Sequence, residues 1–411
     1  MKRRWAPVLA VLPVPAALFF VGCSTLESAA LRGLTQITPA IGPVVNADDT
    51  GHLAFAYATV QPNEVFVQSR DSITSAVDTT DCTQGRTSLG APAGTRDLSM
   101  PAWAPGTPSG HAFVFVAGNL GTSSAPDWRL FYRRHDNAQS RSTCQGWSGS
   151  WQRVLTAPGG SQVVVASAPS AVTVPSGETY VFVSTSSVIG YVVAAADGTL
   201  GPLHTGASPS CLGFAPSNLS LVGAAFYNGR IHILAAQNGT FTQNIGYASF
   251  DPTTVADYQV GQLRSIAFAP VSGANNVVAS NCAVAAAATG GLVIGCTGRV
   301  GDASGEGPLS LLTANLTDAD LATLETCPQR ELFQLGPDRW TRLDVDASTG
   351  AQRGLVQQSI AVGTWREAGG AAAFLFLVPG SRRTGGSVQI GILRADRIGE
   401  SWGPLRLTLN W

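Results

Sequence analysis

Short apolar stretches recur along the whole chain, and glycine stands close before most of them. They read LAFAYA, AFVFVA, YVFVS, RIHILA, LVIGC and AFLFLV, at Leu53–Ala58, Ala112–Ala117, Tyr180–Ser184, Arg230–Ala235, Leu292–Cys296 and Ala373–Val378. Runs of this length between turn residues are typical of buried β-strands, whereas helices need longer periodic segments. The pattern therefore predicts a strand that repeats six times.

A second apolar strand follows each of these and is followed by an aspartate. These aspartates are 65, 61, 54, 67 and 78 residues apart: Asp71, Asp136, Asp197, Asp251, Asp318 and Asp396. We expect them to accept backbone hydrogen bonds in turns. Several units continue to a tryptophan segment, clearest at 146–151 and 401–407, with a third candidate around Trp340. Such repeats predict an all-β chain that folds as a β-propeller, with four-stranded antiparallel blades.

Six blades fit the repeat, and seven are the alternative. We expect the C-terminal segment up to Trp411 to close the ring near the N-terminal strand. The repeats predict a single propeller domain at residues 46–411, preceded by a tether at 23–45. Because the sheet of one blade cannot bury both faces alone, the blades must pack around a common axis.

The first residues predict export from the cytoplasm. A basic start, Lys2 to Arg4, precedes an apolar stretch at 5–21 that is short for a membrane span and interrupted by Pro13 and Pro15. The following FVGC tetrapeptide resembles the bacterial lipobox. The resemblance implies a signal peptide at 1–22 and a diacylated Cys23 at the new N-terminus; a cleaved signal without lipid is the alternative. The expected location is the bacterial cell envelope, attached to the membrane through lipid, and the outer membrane in a Gram-negative organism.

Composition changes this picture little. Only 12% of residues are charged, and the 46 glycines and 24 prolines favour turn-rich β-structure. Without Lys2, Arg3 and Arg4, 22 basic residues face 26 acidic ones. Nucleic acid, which needs a basic surface, is therefore not an expected partner.

The cysteines predict disulfides. If Cys23 carries lipid, an even number remains: Cys82, Cys144, Cys211, Cys282, Cys296 and Cys327. An oxidising compartment favours three bridges, in any of 15 pairings. One pair follows from local geometry, because a hairpin turn centred on Thr289 sets Cys282 directly opposite Cys296. No CxxC spacing supports a metal site instead.

One unit, residues 111–155, contains LFYRRHD and GWSGSWQRV. It resembles the blades of sialidase-like and fucose-lectin-like propellers, which carry a tyrosine strand followed by a W-x-x-W-like strand. The resemblance supports the fold class. Aromatic side chains stack well on sugar rings, so the ligand-binding candidates are Trp128, Tyr132, Trp147 and Trp151; packing between blades is the other interpretation.

Standard catalytic motifs are missing. The sequence has no G-x-S-x-G nucleophile elbow, no HExxH and no phosphate loop. We expect no catalytic residues, metal or cofactor, which favours a binding protein over an enzyme. The expected partner is a glycan or another envelope component. The alternatives are a protein-interaction scaffold of an envelope complex and a glycoside hydrolase, which needs two carboxylates in one pocket.

Overall fold

The computed structural model describes the strands, one helix and the loops nearest to them. The described residues are 38–41, 53–60, 62–70, 86–104, 111–136, 146–157, 159–185, 189–195, 197–205, 219–237, 244–253, 264–268, 276–287, 290–301, 309–326, 333–335, 339–344, 354–356, 361–366, 372–384, 387–398, 401–403 and 405–410.

The first three sheets follow one another along the chain. The first contains β1 (Thr38–Ile41), β2 (Leu53–Val60), β3 (Asn63–Arg70) and β4 (Arg86–Gly90). The second contains β5 (Asp97–Leu98), β6 (Ala102–Ala104), β7 (Ala112–Asn119), β8 (Trp128–His135) and β9 (Gln152–Arg153). The third contains β10 (Ser170–Thr173), β11 (Thr179–Ser184), β12 (Ile189–Ala194) and β13 (Leu200–Thr205).

Three further sheets complete the described part of the chain. The fourth contains β14 (Leu219–Tyr227), β15 (Arg230–Gln237), β16 (Asn244–Phe250), β17 (Arg264–Phe268) and β21 (Phe333–Leu335). The fifth contains β18 (Asn276–Ala286), β19 (Leu292–Gly301), β20 (Leu309–Leu316) and β22 (Trp340–Arg342), and helix α1 (Asp318–Thr326) follows β20. The sixth contains β23 (Gly354–Val356), β24 (Ala361–Arg366), β25 (Ala372–Thr384), β26 (Ser387–Ile398), β27 (Ser401–Trp402) and β28 (Arg406–Asn410).

The sheets form a closed ring. One inner strand of each sheet lies against that of the next, in the order β1, β6, β10, β14, β18, β24 and back to β1. Neighbouring strands within a sheet pair antiparallel, except that β21 pairs parallel with β17 in the fourth sheet. An all-β β-propeller is the fold that such a ring of small sheets forms, and this part of the prediction is confirmed.

Apolar clusters fill the spaces between successive sheets. Separate clusters join the first sheet to the second, the second to the third, the third to the fourth, the fourth to the fifth and the fifth to the sixth. The strands β7 and β11 are buried along their whole length, because both of their faces touch a neighbouring sheet. Their sequences are therefore continuous apolar runs without the polar alternation of a half-exposed strand.

All six repeated strands are confirmed, and they lie within β2, β7, β11, β15, β19 and β25. The uniform count of four strands is wrong, since the second and fourth sheets have five strands and the sixth has six. The extra strand of the fourth sheet comes from the segment after α1, in the longest spacing between repeated aspartates.

Two expectations about the chain ends need correction. The first strand, β1, lies inside the segment predicted as a tether, where its short sequence TPAI gave no strand signal. The C-terminal strand β28 pairs with β26 of its own sheet. The ring closes where β1 packs against β24 and β25. The lipobox with Cys23, and Trp411, lie outside the described residues.

Proline and serine mark where inner strands begin. Pro101 and Pro169 directly precede β6 and β10, and a proline is tolerated there because an inner strand has one edge free. The Ser99 hydroxyl donates to the Met100 carbonyl (2.9 Å) and accepts the Ala117 N–H (3.0 Å). Ser167 makes the same pair of bonds in the third sheet.

The disulfide prediction is confirmed for one pair. Cys282 and Cys296 are directly opposite on β18 and β19, bridged, with a Cα–Cα distance of 4.1 Å. Gly290 and Gly291 have φ angles of 101° and 81°, which glycine adopts without strain, and they complete the hairpin turn. Cys82, Cys144, Cys211 and Cys327 lie outside the described residues.

The repeated aspartates that follow β8, β12, β16 and β20 mark one end of the ring, here called the aspartate face, and Asp71 lies outside the described residues. Asp197 accepts the Thr199 N–H (2.8 Å) and Asp251 accepts the Thr253 N–H (2.8 Å), as expected of turn residues. Asp136 and Asp318 instead accept side-chain hydrogen bonds. No helix in the described part of the chain is long and apolar enough to cross a membrane.

Candidate binding site between the second and third sheets

The four predicted aromatic residues do not share one surface. Trp147 and Trp151 pack in the cluster between the first and second sheets. Trp128 and Tyr132 pack in the cluster between the second and third sheets. The quartet is therefore split across the two faces of the second sheet, and the single aromatic shelf implied by the sequence does not form.

The first pair holds two sheets together. The Trp147 ring meets His135 edge-on at a centroid distance of 4.9 Å, and the Trp151 indole N–H donates to the Leu89 carbonyl (3.0 Å). Arg133 donates to the same carbonyl at 2.8 Å, and burial lowers the pKa of its guanidinium. Trp147 and Trp151 thus have the packing role that the sequence left open as the other interpretation.

The second pair lies at a partly open boundary. The Tyr132 ring contacts Phe113 and Phe115 at centroid distances of 6.3 and 6.1 Å, while its hydroxyl donates to the Gln152 side-chain oxygen at 2.5 Å. Gln152 is exposed and Tyr132 is half-buried. Burial raises the pKa of the Tyr132 hydroxyl, opposed by Arg134, so the hydroxyl remains a neutral donor and acceptor.

Contacts at both ends close this boundary, while its middle stays partly exposed. Toward the aspartate face, a Cβ added at Gly198 would lie 2.9 Å from Arg134 Nη1, so the β12–β13 turn rests on that side chain. At the other end, the Leu203 N–H donates to the Thr156 carbonyl (3.1 Å). We call this boundary the outer seam; it is lined by Trp128, Tyr132, Gln152, Leu203 and Arg134.

The aspartate-face end of the outer seam carries charge. Arg134 Nε donates to Asp136 Oδ1 at 2.6 Å, and His111 Nδ1 lies 3.8 Å from the same oxygen. Hydrogen bonds from the Thr199 backbone and hydroxyl, then the nearby His111, lower the pKa of the exposed Asp197. Both the acceptors and the donors that a hydroxyl-rich ligand needs are therefore present at this end.

The ring axis has a different character. None of the inner strands β1, β6, β10, β14, β18 and β24 contains aspartate or glutamate. Met100 and Ala168 belong to the same apolar cluster as Ala283 and Ala287 of the fifth sheet, so apolar side chains from opposite sides of the ring meet there. Within the described residues, no group of three His, Cys, Asp or Glu side chains could hold a metal ion.

A buried histidine that the sequence did not single out lies in the fourth sheet. His232 is 2% exposed, its Nδ1 is 2.8 Å from the Tyr247 hydroxyl and its Nε2 is 3.2 Å from the Tyr227 carbonyl. Because a carbonyl only accepts, Nε2 carries the proton and Nδ1 accepts from Tyr247. Burial lowers the pKa of His232 below its ordinary value of 6.5.

Acid should therefore destabilise the protein through His232. In the unfolded chain this imidazole takes up a proton near pH 6.5, whereas the folded protein resists protonation, so the stabilisation is complete above that pH and is lost as the pH falls. Urea unfolding between pH 7.5 and 5.5 measures this decline. In His232→Gln, which cannot titrate, the decline should be smaller; an equal decline in both proteins would contradict the assignment.

The sequence matches no protein-family model and no curated protein. Among solved structures, a variant of levansucrase from Bacillus subtilis is 10% identical, with a TM-score of 0.41, over 70% of this chain and 88% of that chain. Bacteroides ovatus xyloglucan PUL GH43B is 12% identical, with a TM-score of 0.38, over 91% of this chain and 88% of that one. A GH62 hydrolase in complex with xylotriose is 9% identical, with a TM-score of 0.38, over 72% and 90%.

Proposed function

We propose that the protein is a carbohydrate-binding propeller that holds its ligand in the outer seam. The observation that carries the proposal is the half-buried Tyr132, whose hydroxyl is bonded to the exposed Gln152 amide. An amide and a phenol that already share one hydrogen bond are held in fixed positions and retain further donors and acceptors for sugar hydroxyls. The partly exposed rings of Trp128 and Tyr132 add apolar surface for sugar C–H groups.

Binding fits this site better than glycoside hydrolysis, the second candidate. Hydrolysis needs a carboxyl group that keeps its proton as a general acid beside a second, ionised carboxylate. Asp136 and Asp197 both lie near His111, but the lowered pKa of Asp197 keeps it ionised and Asp136 is bonded to a guanidinium. A time course of reducing-sugar release from a bound oligosaccharide tests this alternative.

The proposal extends to the whole molecule. Each of the six sheets is a blade, and together they make a six-bladed propeller. Cys23 carries the lipid and holds the propeller on the cell envelope, in an oxidising compartment that suits the Cys282–Cys296 disulfide. Globomycin, which blocks signal-peptide cleavage of lipidated precursors, tests the anchor: the unprocessed precursor should accumulate.

The binding test compares two neighbouring exposed residues of β9. The purified protein is titrated with xylohexaose, maltohexaose, chitohexaose and polygalacturonate in a calorimeter. Gln152→Ala should weaken the binding seen with the wild type about tenfold, since it removes the hydrogen-bonding group beside Tyr132. Arg153→Ala is the matched control. Arg153 lies opposite Phe131, so its side chain points to the other face of the second sheet, away from Tyr132. If none of the four saccharides binds to the wild type, the protein-interaction scaffold is favoured instead.

A further inference from the structure

A second tyrosine occupies the position of Tyr132 in another sheet. The residues four positions before the repeated aspartates are Val67, Tyr132, Val193, Tyr247, Ala314 and Ile392. Only two of the six are tyrosine. Tyr132 pairs with Phe115 of β7, and Tyr247 pairs with Leu234 of β15, so each tyrosine lies opposite a buried apolar residue of the repeated strand.

The two tyrosines also face the same way. Tyr132 belongs to the cluster between the second and third sheets, and Tyr247 to the cluster between the fourth and fifth. Each therefore points toward the next sheet of the ring. The boundary between the fourth and fifth sheets, here called the covered seam, is thus a structural counterpart of the outer seam.

The two seams differ in the exposure of their tyrosine, because helix α1 covers one of them. In the third sheet, a tight turn containing Asp197 and Gly198 follows β12, and Tyr132 stays half-exposed. In the fifth sheet, α1 begins at the equivalent Asp318, and Tyr247 is 1% exposed. The helix buries Leu321 and Leu324 in the same cluster as Tyr247.

Carboxylates of α1 engage the polar groups of the covered seam. Glu325 lies 3.1 Å from Arg230 Nε and accepts the Ser249 hydroxyl at 3.2 Å, and Asp318 accepts the Tyr227 hydroxyl at 2.6 Å. Arg230 and Ser249 are equivalent to His111 and Arg134, which lie at the charged end of the outer seam. Carboxylates of α1 thus form hydrogen bonds and an ion pair with Arg230 and Ser249, the counterparts of polar residues at the proposed binding site.

We infer that the covered seam is a second carbohydrate site, occupied by α1 in place of a ligand. The inference rests on the proposed function of the outer seam. The protein would then have two equivalent carbohydrate sites: the outer seam, which is open, and the covered seam, which opens when α1 moves away. An oligosaccharide in the covered seam would take over the hydrogen bonds that Arg230, Ser249 and Tyr227 now give to the helix carboxylates.

The test displaces α1 and counts binding sites. Leu324 is fully buried, so Leu324→Asp places a charge that the cluster cannot accommodate and forces the helix out. Ala322→Ser, on the exposed side of the helix, is the matched control. Calorimetry uses whichever of xylohexaose, maltohexaose, chitohexaose and polygalacturonate binds the wild type most tightly. We expect about one site in the wild type and the control, and about two in Leu324→Asp.

Further variants assign each site. Tyr247→Phe, combined with Leu324→Asp, should weaken binding at the second site alone, whereas Gln152→Ala should weaken binding at the first site alone, about tenfold. Hydrogen exchange of the α1 amides verifies that the helix has left, and retained binding at the outer seam verifies that the propeller is folded. If Leu324→Asp does not fold, the double variant Asp318→Asn with Glu325→Gln replaces it, because it weakens the polar contacts of α1 and leaves its leucines in the core.

An exposed α1 with a stoichiometry still near one would overturn the inference and leave the proposed function standing. A wild type that binds none of the four saccharides would instead overturn the proposed function itself. The two failures are therefore distinguishable.

Discussion

Replacing Phe115 with alanine should lower the free energy of unfolding by about 3–5 kcal/mol, the usual cost of emptying the space of a buried phenylalanine. Phe115 is fully buried in the cluster that joins the second and third sheets. Its ring lies 6.1 Å from the Tyr132 ring, measured between centroids. The cavity therefore opens directly behind the proposed binding residue.

Chemical unfolding and saccharide titration together test this expectation. Phe115→Leu is the matched control, because it keeps most of the buried volume and should cost about 1 kcal/mol. We expect Phe115→Ala to weaken saccharide binding as well, since Tyr132 loses part of the packing that fixes its hydroxyl beside Gln152. A loss in Phe115→Ala no larger than in the leucine variant would show that the sheets close around the cavity.

Replacing Asp344 with alanine should cost about 3 kcal/mol, near the lower end of the range for breaking a buried ion pair. The Asp344 carboxylate is fully buried, accepts Arg342 Nη2 at 2.9 Å and accepts the Leu311 N–H at 3.3 Å. The variant leaves this N–H and the guanidinium without their acceptor. Arg342 retains 26% side-chain exposure, so water compensates part of its loss.

Thermal and urea unfolding of Asp344→Ala and Asp344→Asn separate the charge from the hydrogen bonds. Asparagine keeps an acceptor oxygen for Leu311 and Arg342, so its loss should be clearly smaller. Equal losses in the two variants would mean that the negative charge alone stabilises the fifth sheet. A loss below about 1 kcal/mol in the alanine variant would contradict the assignment of Asp344 as a buried partner.

The repeated strands could be predicted because burial on both faces leaves a strong sequence signal. The strand β11 is buried at every position, and its sequence contains the predicted run Tyr180–Ser184. The Cys282–Cys296 bridge could be predicted from local turn geometry, since the turn residues of a hairpin fix its register. Local rules of this kind need no knowledge of distant parts of the chain.

Features that depend on distant contacts were missed. The strand β1 is short and takes its identity from pairing with β2, which the sequence TPAI does not reveal. Helix α1 and strand β21 fill the unusually long spacing before Asp396, but the spacing alone does not say that β21 joins the preceding sheet.

The residues that line the outer seam could be predicted only in part. Alternation along β8 predicts that Trp128 and Tyr132 share a face, and they do. The other two tryptophans lie beyond the end of that strand, so no alternation rule assigned them to the opposite face. Gln152 carried no signal of its own, because its partnership with Tyr132 depends on the pairing of β8 with β9.

The direction of β1 determines how an anchored propeller would be oriented. Thr38 lies opposite Ala58 and Ile41 opposite Phe55, so β1 runs along the axis toward the aspartate face. The chain thus enters through the centre of the other face. Fourteen residues, 24–37, precede it after Cys23 and reach at most about 50 Å when extended. A lipid on Cys23 would therefore attach the propeller to the membrane through a short segment at its centre. The face where β1 begins would then lie next to the bilayer, and Asp136 and Asp197 would face away from it, where large polysaccharides arrive.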